Sequence, residues 1–204
     1  MIEPTVITGP IAEPVSIEEA KAQCRISSSN EDEDKPIRIF ISAAREYLEW
    51  RTGTTIHDTT LEYVLDNWPA TNYIELPRAS PLIAITSVYE KDSDGIETLW
   101  DSDEYSADID SRPGRLVLGY NESWPSFTHH PVSPIRIRYR TGIATSATQV
   151  EATEAVKYPI LLLVTGMWEN RESESISDRG MLSKISADYG VEAFINRLTP
   201  QYVF

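Results

Sequence analysis

The chain has 204 residues, 41% of them hydrophobic, and a formal net charge of -14 from 18 Lys and Arg against 32 Asp and Glu. That length allows one large domain or two small ones with an ordinary soluble core, and the acidic excess excludes a basic footprint for gripping nucleic acid from outside. The longest apolar run, Pro159 to Val164, is soon broken by Thr165, Gly166 and Glu169, which excludes a membrane-spanning helix, and a single cysteine, Cys24, excludes an intrachain disulfide framework.

The N-terminus has no basic stretch and is punctuated by Pro4, Pro10 and Pro14. It reads as neither a signal nor a transit peptide, so the expected compartment is the cytoplasm. The prolines forbid a helix, and residues 1 to 14 are expected to form an extended arm. Ser16 followed by Glu19 is a capping box that opens a short helix with Ile17, Ala20 and Cys24 on one side, where Cys24 reads as a plain buried thiol. The acidic loop "SSSNEDED" ends that helix. Pro36 then fits the first turn of a second helix, in which Ile37, Phe40, Ile41, Ala44, Tyr47, Leu48 and Arg51 recur at helical spacing until Gly53 stops it.

From about residue 59 the period changes from 3.6 to 2. "TLEYVLDNW", "NYIEL", "AITSVYE", "IETLW", "YSADI", "RLVLG" and "IRIRYR" are short, rich in β-branched and aromatic residues, and separated by turn signals. Asp94-Gly95 is expected to close a hairpin between strands around Val88 and Leu99. Helical patterning resumes in "VEATEAVKYPILLLVTGMWENRE" and, after a polar linker, in "VEAFINRL". The order is helices, sheet, helices, so the fold class is α+β. Two N-terminal helices, one long apolar helix and one C-terminal helix form a helical body, into which an antiparallel β lobe is inserted. The expected division is 1–58 for the arm and first helices, 59–141 for the β unit, and 142–204 for the last helices and tail, which pack with 15–58.

The catalytic inventory is thin. No phosphate-binding loop, dinucleotide fingerprint, nucleophile elbow, H-E-x-x-H or C-x-x-C occurs. Of the three histidines, His129 and His130 would point to opposite sides of an extended chain instead of converging with His57 on a metal. The carboxylates crowd into loops such as "SNEDED", "DSDG" and "WDSDEY", where solvation keeps a general acid from acquiring the raised pKa it needs. The expectation is no catalytic residue, no metal and no cofactor.

"PVSIEEAKAQCRI" with its acidic loop, the "AAREYLE.RTG" pattern from Ala43 to Gly53, "IELPRASPLIAITSVYEKDSDG", and "ILLLVTGMWENRE" from Ile160 to Glu172 together resemble the head-to-tail connector proteins of tailed phages, in particular those with a β insertion. Two departures are Pro159, where the family more often has a helix-compatible polar residue, and a longer, more polar loop from Ser173 to Tyr189.

The resemblance implies a structural adaptor in the virion neck, made in the host cytoplasm. It would form a ring, commonly of twelve copies, that joins the portal ring to the tail or a stopper protein, while DNA passes through without specific binding. It also implies subunit contacts through Leu162, Leu163, Met167, Trp168, Glu169 and Arg171 on an all-round apolar helix, whose alternative reading is an ordinary core helix. The apolar chain end, Tyr202, Val203 and Phe204, either folds back on its own body or fits a partner, and the resemblance favours portal docking. A tail-completion or neck protein of the same virion is an alternative. A carbohydrate-active enzyme or sugar-binding module is the rival from another class, suggested by acidic and aromatic residues in the β unit.

Overall fold

Ser16 caps the first helix as its sequence dictates: its hydroxyl accepts from the Glu19 amide at 3.1 Å, and the Glu19 carboxylate accepts from the Ser16 amide at 2.8 Å. The computed structural model describes residues 3–10, 12–125, 130–143, 154–171 and 190–199. Among these the chain has four α-helices and eight strands, paired throughout antiparallel, and is α+β. The residues fall into two units, one helical and one built on sheets.

In the helical unit α1 (Ile17–Gln23), α2 (Asp34–Thr52), α3 (Glu154–Glu169) and α4 (Glu192–Leu198) are associated. The amphipathic pattern of α2 sets its inner face: Ile37, Ile41, Ala44, Tyr47 and Leu48 are buried, and Gly53 takes the left-handed conformation that ends the helix. Arg51, counted in that stripe from its spacing, is instead exposed and pairs with Glu192 at 2.8 Å. Against α2 pack α1 and α3, the latter burying Val156, Pro159, Ile160, Leu163, Val164 and Met167. Pro159 lies inside α3 without ending it. Cys24 is half-buried, and burial pushes its thiol pKa up.

In the other unit β1 (Thr5–Thr8), β2 (Thr59–Leu65), β8 (Ile135–Thr141), β4 (Leu82–Lys91) and β5 (Glu97–Leu99) form a five-stranded sheet in that order. A three-stranded sheet runs β3 (Tyr73–Glu75), β7 (Arg115–Leu118), β6 (Tyr105–Asp108). The seven strands read from the period-2 segments are all present. The arm, grouped with the first helices in the sequence division, instead adds β1 to the edge of the sheet, pairing Thr5 with Glu62. An extended segment with free amides is a ready partner for an edge strand, which its prolines alone do not reveal.

Strand β8 shows how alternation builds this core. Ile135, Ile137, Tyr139 and Thr141 are buried, while Arg136, Arg138 and Arg140 alternate with them and pair with Glu97 at 3.3 Å, Glu62 at 2.6 Å and Asp58. The Tyr139 hydroxyl donates to the Pro77 carbonyl at 2.5 Å, and burial drives its pKa up. The hairpin forms where Asp94-Gly95 predicts it: Tyr89 pairs with Leu99, and Gly95 has φ 83°.

Candidate assembly surface

Helix α3 is apolar nearly all round, but its two faces differ in burial. Leu163 and Met167 lie in the subunit's own core, 0% and 2% exposed. Leu161, Leu162, Thr165 and Trp168 are only half-buried, and Tyr158 is 47% exposed, its ring 5.4 Å from that of Phe194 on α4. An aliphatic helix face left half-open costs hydration free energy that contact with another surface recovers, at about 25 cal/mol per Å² removed from water.

The polar end of α3 closes that face. The Gly166 carbonyl accepts both the Asn170 backbone amide at 3.1 Å and its side-chain amide at 2.7 Å, which ties down the end of the helix. The Arg171 guanidinium stacks 3.7 Å from the centre of the Trp168 ring and donates to Glu33 at 2.5 Å. Trp168, Arg171 and the acidic turn after α1 thus form a fixed cluster, while Glu169 is exposed. Of the six residues inferred for subunit contact, the structure leaves Leu162, Trp168, Glu169 and Arg171 with accessible surface and places Leu163 and Met167 inside. The tail residues Tyr202, Val203 and Phe204 lie outside the described residues.

Sequence reasoning missed a buried ionic network on α2. Arg45, 7% exposed, donates to Glu13 at 2.8 Å and to Glu49 at 3.2 Å. Glu13 also accepts from Ser42 at 2.7 Å, and Glu49, 5% exposed, accepts the Ile56 amide at 2.9 Å. Burial acts to lower the Arg45 pKa, but the hydrogen bond and charges of these carboxylates prevail and raise it. The spacing of Arg45 and Glu49, four apart beside Ala44 and Leu48, was the available signal: charges on an apolar face demand partners. A second buried cation, Lys21, donates to the Asn30 carbonyl at 2.8 Å and pairs with Asp34.

In the β unit an open groove of about 340 Å³ is lined by Tyr63, Leu65, Asn67, Pro69, Thr71, Tyr73, Ile74 and Glu75. It is the place a sugar-binding reading would look to. Glu90, the carboxyl pushed up to about 7 by burial and by the charge of Glu104, does not line it. His57 is buried in the helical unit and His130 bonds Val132 in a loop, whereas His129 lies outside the described residues. Among the described residues no group of His, Cys, Asp or Glu could hold a metal, and no helix is long and apolar enough to cross a membrane.

Residues 14–97 match the family model described as phage gp6-like head-tail connector protein. The resemblance to that family therefore holds for the motifs that fall within these residues. The connector match spans α1, α2 and β2 to β4 and ends at the first residue of β5, and α3 lies beyond it. No curated protein matches the chain.

Solved structures extend the likeness along the whole chain. One similar chain, from the neck of an empty gene transfer agent (GTA) particle computed with C6 symmetry, has a TM-score of 0.75 at 17% identity, covering 100% of this chain and 98% of that chain. Another, from the virion of the native particle, has a TM-score of 0.72 at 17% identity with the same coverage. A third, from the neck of the native particle computed with C12 symmetry, has a TM-score of 0.71 at 18% identity, again covering 100% and 98%. The connector-like chain and these neck chains share a fold over their full length.

Proposed function

We propose that the chain is a structural adaptor in the neck of a phage-like particle, and that it carries out no reaction. It works as a ring that joins the portal of the DNA-filled head to the tail or a stopper protein and lets DNA pass. The observation carrying this reading is the convergence of the connector match over 14–97 with a full-length fold shared with neck chains of gene transfer agent particles. The C6 and C12 symmetries of those necks favour twelve copies.

The half-open face of α3 supplies the subunit contact in this reading. Leu162, Trp168, Glu169 and Arg171 meet the neighbouring copy, while Leu163 and Met167 hold the helix in place from behind. The apolar tail, Tyr202 to Phe204, docks on the portal. The inserted β unit belongs to the same adaptor, and its net acidity keeps duplex DNA from sticking as it slides past.

The mass of the purified protein, alone and mixed with portal rings, tests the proposal. Stoichiometric rings on the portal are expected, and a protein that never joins the portal at any concentration overturns the adaptor reading. Leu162→Asp should abolish those rings while leaving the helical content of the subunit close to wild type. Equal loss of both would return α3 to the role of an ordinary core helix.

A further inference from the structure

Three tryptophans and a tyrosine meet in the β unit. Trp68 stacks on Trp124 with centroids 4.7 Å apart, Trp100 lies 5.3 Å from Trp68 and 5.8 Å from Trp124, and Tyr105 lies 5.1 Å from Trp100. Two carboxylates enter this cluster from different elements. Glu104, from the 3-10 turn Ser102–Glu104, accepts from the Trp100 indole. Glu90, from β4, is 5% exposed, and its Oε1 is buried without a hydrogen-bond partner. Trp68 Nε1 interacts favourably with Glu90 but is likewise buried, and neither atom completes a hydrogen bond of ordinary geometry.

A carboxylate short of hydrogen bonds in an apolar cluster favours the neutral acid. The neighbours of Glu90 offer no cation to change that. Across the sheet it faces Thr98 of β5 and Ile135 of β8. Lys91, next in β4, directs its ammonium to Glu97 at 3.6 Å, and Arg136 of β8 is also on Glu97. His130, whose backbone bonds the Lys91 carbonyl, uses its ring on Val132. Tyr105 of β6 has its hydroxyl pKa raised by burial and by Asp101. The charge that acts on Glu90 is the like charge of Glu104.

Glu104 ends its 3-10 turn, and its carbonyl accepts from the Gly119 amide at 2.8 Å. Strand β6 follows it directly, and β6 is the edge of the three-stranded sheet, with β7 as its strand partner.

We propose that Glu90 and Glu104 form a proton-operated latch on the edge strand β6. With a proton on Glu90 the two carboxyls share the tryptophan cluster, and the segment from Asp101 to Asp108 is held against β4. When the proton leaves, two like charges face each other in an apolar setting, and the segment swings out, taking Trp100 from its packed position. The latch is independent of the neck reading and concerns the β unit by itself.

The test uses the full chain, followed by tryptophan emission and by amide-exchange protection of Tyr105 to Asp108 from about pH 5.5 to about pH 8.5, with exchange corrected for its intrinsic pH dependence. A single transition near neutrality is expected, with protection of those amides falling about tenfold on its alkaline side. Glu90→Gln should keep the strand protected at both ends of the range. Glu104→Gln should likewise keep the strand protected at both ends of the range, because the like charge that drives it out is gone. A wild-type protein with constant protection overturns the latch, and so does a loss of protection that persists in Glu90→Gln. If Glu90→Gln does not fold, Glu104→Gln decides, and a loss of protection that persists in it overturns the proposal.

Discussion

Arg45 Nε donates to Glu13 Oε2 at 2.8 Å, joining the middle of α2 to the segment that precedes α1. Arg45 and Glu49 are buried at this site, while Glu13 closes it from a half-buried position. Arg45→Ala should destabilise the helical unit by about 3–5 kcal/mol, because Glu49 keeps its charge in a buried place. Replacing Arg45 and Glu49 together with Met should recover much of that loss. Urea unfolding of the two variants checks both statements, and a double variant no better than Arg45→Ala would contradict them.

The two leucines at the centre of α3 should separate cleanly. Leu163 has no exposed surface, so Leu163→Ala is expected to cost about 2–5 kcal/mol. Leu162, half-buried, should cost less than about half as much on the same change. Thermal melts of the isolated subunit give the comparison, and equal costs would mean that both faces of α3 are enclosed.

His57 makes the helical unit sensitive to acid. Burial is the main cause that holds its imidazole below the ordinary value; Glu13 opposes this and Arg45 adds to it. The unfolded chain therefore takes up the proton first, near pH 6.5. The stability is fully present above that pH and is lost as pH falls below it. Melting temperatures should decline as pH falls below about 6.5, and His57→Gln should flatten that decline. An unchanged slope in the variant would contradict this.

Gly114 sits where a side chain cannot. A Cβ there would lie 2.3 Å from Leu82 Cβ, while the Gly114 amide donates to Ala79 at 2.7 Å and its carbonyl accepts from Leu76 at 3.0 Å. Gly114→Ala should cost at least about 1–3 kcal/mol through overpacking, confined to the β unit. Exchange protection in β4 and β7 should fall while that of α2 stays. Loss in α2 alone would refute the assignment.

On the adaptor reading, free protein should give no gel shift with duplex DNA even at low salt, where phosphate contacts are strongest. Deleting Gln201 to Phe204 should leave the melting temperature nearly unchanged and abolish stable association with portal rings. A clear DNA shift, a large drop in melting temperature, or undiminished portal binding would each count against the corresponding part of that reading.

Features that depend on neighbours within a few positions were legible along the chain. The Ser16 and Glu19 cap, the inward face of α2, its stop at Gly53, the seven short strands and the Asp94-Gly95 hairpin are written in spacings of two to four residues, which backbone geometry converts directly into helix or strand. The connector motifs were legible for the same reason, being short runs of side chains.

Packing in three dimensions settled which groups from distant segments meet. It gave the arm a place beside β2, paired Glu13 with Arg45 across 32 positions, and put Leu163 inside while leaving Leu162 half-open. It also brought Glu90 and Glu104 into one tryptophan cluster, though loops full of carboxylates suggested only a solvated surface. Such contacts have no period along the chain. They follow from how strands register and helices pack, and the energy that selects them is shared over the whole core.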